Sequence, residues 1–207
     1  MSITYKLVTP PAVEPFTVEE AMSFCRVDDE EETPLVADLV KAAREYVELH
    51  TGHALIRQTW KATIDRWPQY ANASGWRDNR RITLEKFPLI SVDEVAYYDA
   101  NNVQNTYLTD QYIWDAGGDG VFGFLERNHG SDWPDIYDRA NAISITFKAG
   151  YGTNGEAVPA MLKHAMKLVI ENFYSQRDPV NTGNIVTEVP LNLRHLVESH
   201  RVAGWVA

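Results

Sequence analysis

Six histidines, one cysteine and a few dense charge clusters are the residues of this chain with chemistry to offer. The histidines are His50, His53, His129, His164, His195 and His200. His50 and His53 stand three apart and straddle Gly52 at a predicted helix end, with no carboxylate between them. His195 and His200 are five apart, a spacing that places them on different faces of a helix. Neither pair is the i, i+4 couple with an intervening glutamate that a zinc hydrolase uses. A metal centre, or a hydrolytic His/Asp site, would have to converge from residues far apart in the chain. Cys25 is the single cysteine, which excludes an intrachain disulfide and a thiolate metal cluster. It lies in an apolar helical stretch and reads as a small core residue rather than a nucleophile. The run Asp28-Asp-Glu-Glu-Glu32 could attract divalent cations, yet it lacks the glycine and the spaced ligands of a calcium loop. It reads as a solvated turn.

Gly118-Asp-Gly120-Val-Phe-Gly123 satisfies the letters of the dinucleotide fingerprint. That chemistry needs the glycines between a strand and a helix whose N-terminus faces the pyrophosphate. Here the chain continues Phe124-Leu-Glu-Arg-Asn-His-Gly130, which reads as strand and loop, so a hairpin turn is expected. No Gly-x-Ser-x-Gly elbow and no phosphate-binding loop occurs. Motifs alone therefore point to an α+β domain that is not an enzyme.

The elements that carry these residues fall into blocks. Residues 1–16 hold Pro10, Pro11 and Pro15 and read as an extended arm. Thr17-Val-Glu-Glu20 is a capping box that should open a short helix reaching about Arg26. Thr33-Pro34 reads as a cap followed by a first-turn proline. The helix it opens should bury Leu35, Leu39, Ala42, Ala43, Tyr46 and Val47 and stop at Gly52. The two helices form a hairpin.

From Leu55 to Lys148 the rhythm changes to period two. Trp60, Ala62 and Ile64 alternate, as do Ile82 and Leu84. Further strands are expected over 94–98, 103–108, 111–114, 121–126 and 142–148, with Asp99-Ala-Asn-Asn102 and Gly117-Gly-Asp-Gly120 as turns. The pattern suggests an antiparallel sheet or small barrel inserted between helical segments. The pivot is the strand Ile143-Ser-Ile-Thr-Phe-Lys-Ala149, broken by Gly150 and Gly152 and followed by a long helix over 158–176. Met161, Leu162, Ala165, Leu168, Val169 and Phe173 form its apolar stripe, with Lys163, Lys167 and Glu171 on another face. A polar loop over 177–184 leads to a last short helix opened by Pro190, in which Leu193, Leu196, Val197 and His200 share a face. The expected organisation is a single domain over 1–207. Within it lie the arm and helical hairpin (1–54), a β-rich insertion (55–150), the long helix and loop (151–186) and a C-terminal segment (187–207).

Composition sets the bounds. At 207 residues and 44% hydrophobic content the chain can build a core. No apolar run approaches the roughly 20 residues that span a bilayer. The N-terminus lacks a signal-peptide pattern, so a protein folded in a cytoplasm is expected and the sequon Asn72-Ala-Ser74 carries no meaning. The net charge of −10 argues against a protein that grips a nucleic-acid backbone. Arg77-Asp-Asn-Arg80-Arg81 is a local basic exception, read first as solvated loop charge.

The order of these pieces resembles the head–tail connector (adaptor, or head-completion) proteins of tailed bacteriophages, in a long form with a β insertion. The resemblance rests on Pro15-Phe-Thr-Val-Glu-Glu-Ala21, Arg26-Val-Asp-Asp29, Ala42-Ala-Arg-Glu-Tyr-Val-Glu48 with Thr51-Gly52, and Gln58-Thr-Trp60. Phe87-Pro-Leu-Ile-Ser-Val92, Phe147-Lys-Ala-Gly-Tyr-Gly152 and Val158-Pro159 with the long helix complete it. It implies a structural subunit without catalytic residues or cofactor, assembled as a dodecamer-like ring beneath the portal protein. Such a ring extends the DNA exit channel and carries the stopper or tail-completion protein. Its place would be the virion neck, after synthesis in a bacterial cytoplasm. Double-stranded DNA would pass through without specific binding, since acidic subunits repeated around a ring repel phosphate. No membrane is involved. Leu193, Leu196, Val197, Val202 and Trp205 then become candidates for docking on the portal. Arg77, Arg80 and Arg81, or the loop 176–186, become candidates for contacts with a neighbouring subunit or with DNA. The alternatives are another neck component (a stopper or tail-completion protein), a DNA-binding packaging module, or a hydrolase with a convergent His/Asp site.

Overall fold

The computed structural model describes residues 3–68, 81–175 and 191–205. It is an α+β structure that divides into two compact units, neither made of one continuous stretch of chain. The β unit takes Met1–Pro10 and Arg57–Gly150, and the helical unit takes Pro11–Ile56 and Tyr151–Ala207.

The helical unit begins with α1 (Val18–Cys25). Thr17 Oγ1 accepts from the Glu20 amide at 3.2 Å, and the Glu20 carboxylate accepts from the Thr17 amide at 3.0 Å. This is the capping box in both directions. Arg26 closes the helix in the left-handed region. The acidic run is not a plain turn. Asp29 accepts from the Glu31 amide and starts a 3₁₀ turn, Glu30–Glu32, that runs directly into α2 (Thr33–Thr51). Glu32, not Thr33, is therefore the cap residue, and the Thr33 hydroxyl instead donates to the Glu30 carbonyl. Gly52 ends α2 at φ 77°, a conformation that costs glycine little.

The buried stripe of α2 is Val36, Val40, Ala43, Arg44, Val47 and Thr51. It is rotated from the expected face. Leu35 and Ala42 are exposed, while Leu39 and Tyr46 are half-buried at its margin. The valines, short and β-branched, fit a close helix contact that longer leucines would hold apart.

A 3₁₀ turn (Gly155–Ala157) leads to α3 (Ala160–Ser175), and the Pro159 carbonyl accepts from the Leu162 and Lys163 amides. Helix α3 buries Leu162, Ala165, Met166, Val169 and Ile170, whereas Met161 faces outward at the first turn. Helix α4 (Leu191–Ser199) adds Val197 to the same apolar cluster, which also holds Phe16, Leu55 and Ile56. Gly155 has a packing reason to be glycine: an added Cβ would sit 1.9 Å from the Pro15 carbonyl oxygen.

Among the described residues the β unit contains two antiparallel sheets. The first has the order β1-β2-β8-β4-β5, from strands Thr4–Thr9, Gln58–Ile64, Ile143–Ala149, Leu89–Tyr98 and Gln104–Thr106. The second has the order β3-β7-β6, from Arg81–Leu84, Gly123–Arg127 and Tyr112–Asp115. The expected arm is thus in part a strand, because Tyr5, Lys6 and Leu7 find Ala62, Lys61 and Trp60 more than fifty residues on.

Strand β8 is the spine. It pairs along its length with β2 and β4, and Ile143, Ile145, Phe147 and Ala149 are all buried in the core. The glycine run 117–120 is the turn between β6 and β7, with Gly117 and Gly120 at positive φ. A strand rather than a helix comes after it, so the geometry of a dinucleotide fold is absent there. Gly123 lies where a Cβ would meet the Leu89 side chain at 2.6 Å.

Candidate docking surfaces

The residues proposed from sequence to meet a partner separate into two groups once they are placed. In the C-terminal segment, Val197 and Val202 are each 1% exposed and belong to the helical unit's own core. Leu196 is half-buried and packs against that core. Three bonds pin the residues at and beyond the end of α4. The Val202 amide donates to the Thr51 carbonyl at 2.9 Å, the Trp205 indole donates to the Leu49 carbonyl at 2.8 Å, and His53 Nε2 donates to the His200 carbonyl at 2.9 Å. Of the apolar candidates among the described residues, Leu196 and Trp205 are partly open, and Trp205 lies beside the exposed Leu49. The side chain of Leu193 lies outside the described residues.

His53 is the centre of the pinning. With Nε2 carrying its proton toward His200, Nδ1 is left to accept from the Tyr151 hydroxyl at 2.8 Å, and the two rings stack at 5.7 Å. Burial lowers the imidazole pKa from 6.5 to about 4, against a smaller upward pull from the His200 carbonyl. The neutral ring is the stable form. His50 does different work, stacking on Tyr46 at 4.1 Å with Nδ1 on the Tyr46 carbonyl at 2.8 Å. His129, His164 and His195 are exposed. Among the described residues no three His, Cys, Asp or Glu side chains converge as a metal site would require.

A second buried polar feature had no motif to announce it. Arg44 is 5% exposed and is held by Glu14 at 2.9 Å, Glu48 at 2.9 Å and Glu45 at 3.4 Å. Burial opposes the guanidinium charge, but Glu48 and Glu14 outweigh it and raise the Arg44 pKa. Glu14 is raised too, because its own burial exceeds the pull of Arg44. Glu48 also accepts the Leu55 amide at 2.8 Å, tying the residues after α2 back to the helix. The i, i+4 spacing of Arg44 and Glu48 was visible in sequence; the Glu14 partner, thirty residues away, was not.

In the β unit, Arg81 is the one member of the basic cluster within the described residues. It opens β3, pairs with Glu126 at 2.5 Å and lies 4.2 Å over the Phe124 ring. Arg77, Arg80 and the loop 176–186 lie outside the described residues. Aromatic residues gather on this unit: Trp67 stacks on Trp133 at 4.4 Å, and Tyr107 on Tyr112 at 5.9 Å. Beside them opens a cleft of about 810 Å³ whose walls include Trp133, Tyr137 and the carboxylates of Asp65, Asp132, Asp135 and Asp138. No histidine lines it among the described residues.

No protein-family profile matches the chain, and no curated protein sequence does. Solved structures share its fold over nearly the full length. A chain of the virion of a native gene transfer agent (GTA) particle is 21% identical with a TM-score of 0.72, covering 98% of this chain and 97% of that one. A chain in the neck of an empty GTA particle, computed with C6 symmetry, is 20% identical at a TM-score of 0.72 and covers 100% and 98%. A chain in the neck of a native GTA particle, computed with C12 symmetry, is 21% identical at a TM-score of 0.70 and covers 100% and 98%. At this identity the likeness establishes a common fold.

Proposed function

We propose that this chain is a structural subunit of a virion neck, a head–tail connector of the adaptor type with no catalytic role. The observation that carries the reading is the end-to-end fold match with chains from GTA necks, one of them computed with C12 symmetry. Copies of the chain form a ring beneath a portal protein, extend the DNA exit channel and seat a stopper or tail-completion protein. A net charge of −10 per subunit suits that task. Repeated around a ring it repels phosphate, so packaged DNA slides past without being held.

Portal docking falls to Leu193, Leu196 and Trp205, of which Leu196 and Trp205 are partly open, while Val197 and Val202 anchor the segment to its own unit. Arg77 and Arg80 are left for a neighbouring subunit or the channel.

Sedimentation velocity of the protein, alone and with the portal ring of the same genome, tests this. A shift into a portal-sized complex is expected, and Leu196→Glu with Trp205→Ser should remove it while the protein stays folded. Truncation after Pro190 is a poorer test, since it also strips Val197 and Val202 from the core. If the protein stays a monomer with and without the portal, the adaptor reading fails.

A further inference from the structure

A sheet edge with free backbone groups is a template for another strand, and soluble proteins normally guard it. Among the described residues the two sheets of the β unit have four edges, and they are guarded unequally. Strand β5 is three residues long. At β3, Arg81 is paired with Glu126, and the Tyr5 hydroxyl bonds the Thr83 carbonyl and the Glu85 amide. At β1 there is Lys6, with Pro10 and Pro11 just beyond the strand. Strand β6 carries no lysine, arginine or proline. Its Ile113 is 53% exposed and its Trp114 40%, and the nearby Leu108 and Val121 are exposed as well. A groove of about 290 Å³ runs beside it, lined by Val92, Thr109, Tyr112, Ile113 and Trp114. Asp110, Asp115 and Asp119 lie at or beside the strand's ends, all exposed and without an ion-pair partner among the described residues.

The complementary pattern occurs on the same chain. Strand β1 is exposed at five of its six positions, with Leu7 at 39% and Val8 at 51%. Lys6 stands directly opposite Lys61 on β2, and neither has a carboxylate partner among the described residues. Like charges facing each other across a ladder weaken it. Val8 is skipped in the register with β2. An acidic, apolar edge and a basic, apolar edge therefore coexist on one subunit.

We propose that β6 of one subunit is covered by β1 of a second copy, the strands antiparallel with Lys6 opposite Asp115 and Leu7 opposite Trp114. This rests on the ring reading above and names its contact. The pairing sets opposite charges beside each other, relieves the Lys6–Lys61 repulsion and seats Leu7 and Val8 on the exposed Trp114 and Ile113. Pairing β1 with β1 would gather lysines, and β6 with β6 would gather aspartates, so both two-fold dimers are disfavoured. A contact between two different patches of identical chains is heterologous and adds subunits head to tail, closing into a ring where the rotation permits.

Disulfide trapping in a Cys25→Ala background tests the contact, using Leu7→Cys and Trp114→Cys as separate chains whose folding is checked by circular dichroism. Mild oxidation of the mixture at millimolar concentration should give a covalent dimer, and either variant alone should not. Lys6→Glu in the Leu7→Cys chain should lower the yield about fivefold, the effect of roughly 1 kcal/mol at an exposed charge pair. A mixture that gives no more dimer than the single variants overturns the proposal. If that happens while the protein still sediments with the portal, the interface is wrong and the neck reading stands. If both fail, both are overturned.

Discussion

The helical unit and the β unit solve the problem of leftover polar and apolar groups in opposite ways. The helical unit satisfies its own groups internally. Arg44 is buried against Glu14 and Glu48, His53 is satisfied by Tyr151 and His200, and one apolar cluster runs from Phe16 to Val197. The β unit leaves much unfinished. It carries nine of the thirteen large apolar side chains that are exposed among the described residues, and it keeps open sheet edges. A surface of that kind is what an assembling subunit needs, whereas a buried ionic network is what fixes one conformation before assembly. The difference is one of finish: under the proposed neck role, the closed unit would hold its shape and the open one would meet partners.

The sharpest way to break this contrast is Arg44→Ala. Removing the cation leaves Glu14 and Glu48, both partly buried, without their counter-charge, and a loss of about 3 kcal/mol is expected. Hydrogen exchange resolved by residue should show the loss in α2 and α3, with β8 unchanged. Equal loss in both units would mean they do not fold as separable structures.

Acid is the next largest perturbation. The folded pKa of His53, about 4, lies below its ordinary 6.5, so the unfolded chain takes up the proton first as pH falls. The stabilising effect of the neutral ring is whole above pH 6.5 and is lost progressively down to pH 4. The loss amounts to about 3 kcal/mol. Protection of the Val202 amide, which bonds Thr51, should fall over that window, and His53→Gln should flatten the dependence.

Thr17→Ala removes half of the capping box and should cost about 1 kcal/mol, read as a shift in the denaturant midpoint with unchanged slope. The smallest effect is expected at Ile113→Thr. Its side chain stands in solvent in the isolated subunit, so stability should change by no more than about 0.5 kcal/mol. A large loss there would show that Ile113 serves the fold rather than a partner.

Local physics was readable in the chain; distant pairing was not. The capping box at Thr17, the stop at Gly52 and the alternation of Ile143, Ile145 and Phe147 depend on neighbours a few residues away, and all stand where they were expected. The face of α2 did not, because periodicity gives a stripe but not which edge of it meets α3. Strand β1 reads as an arm in the sequence because it buries almost nothing, and burial is the source of the alternating signal. The split of the β region into two sheets depends on which edges meet, a long-range outcome. At the candidate surfaces, Trp205 and Leu196 were visible as apolar residues, yet the inward turn of Val197 and Val202 was not. Nor could His53 be separated from the other histidines, since Tyr151 and His200 reach it only in the fold.

The interleaving of the chain bears on timing. The helical core draws on Phe16 near the start and on Val197 and Val202 near the far end. During synthesis, α1 and α2 must therefore wait, partly uncovered, while the strands β2 to β8 are made between them and α3. The helical core is therefore the last to have all its residues, after every described strand of both sheets has been made. A nascent or prematurely terminated chain can present finished strand edges but not a finished helical unit. Only a chain read through to Val202 holds every residue of both units, so under the proposed ring the sequence order would itself keep incomplete subunits out.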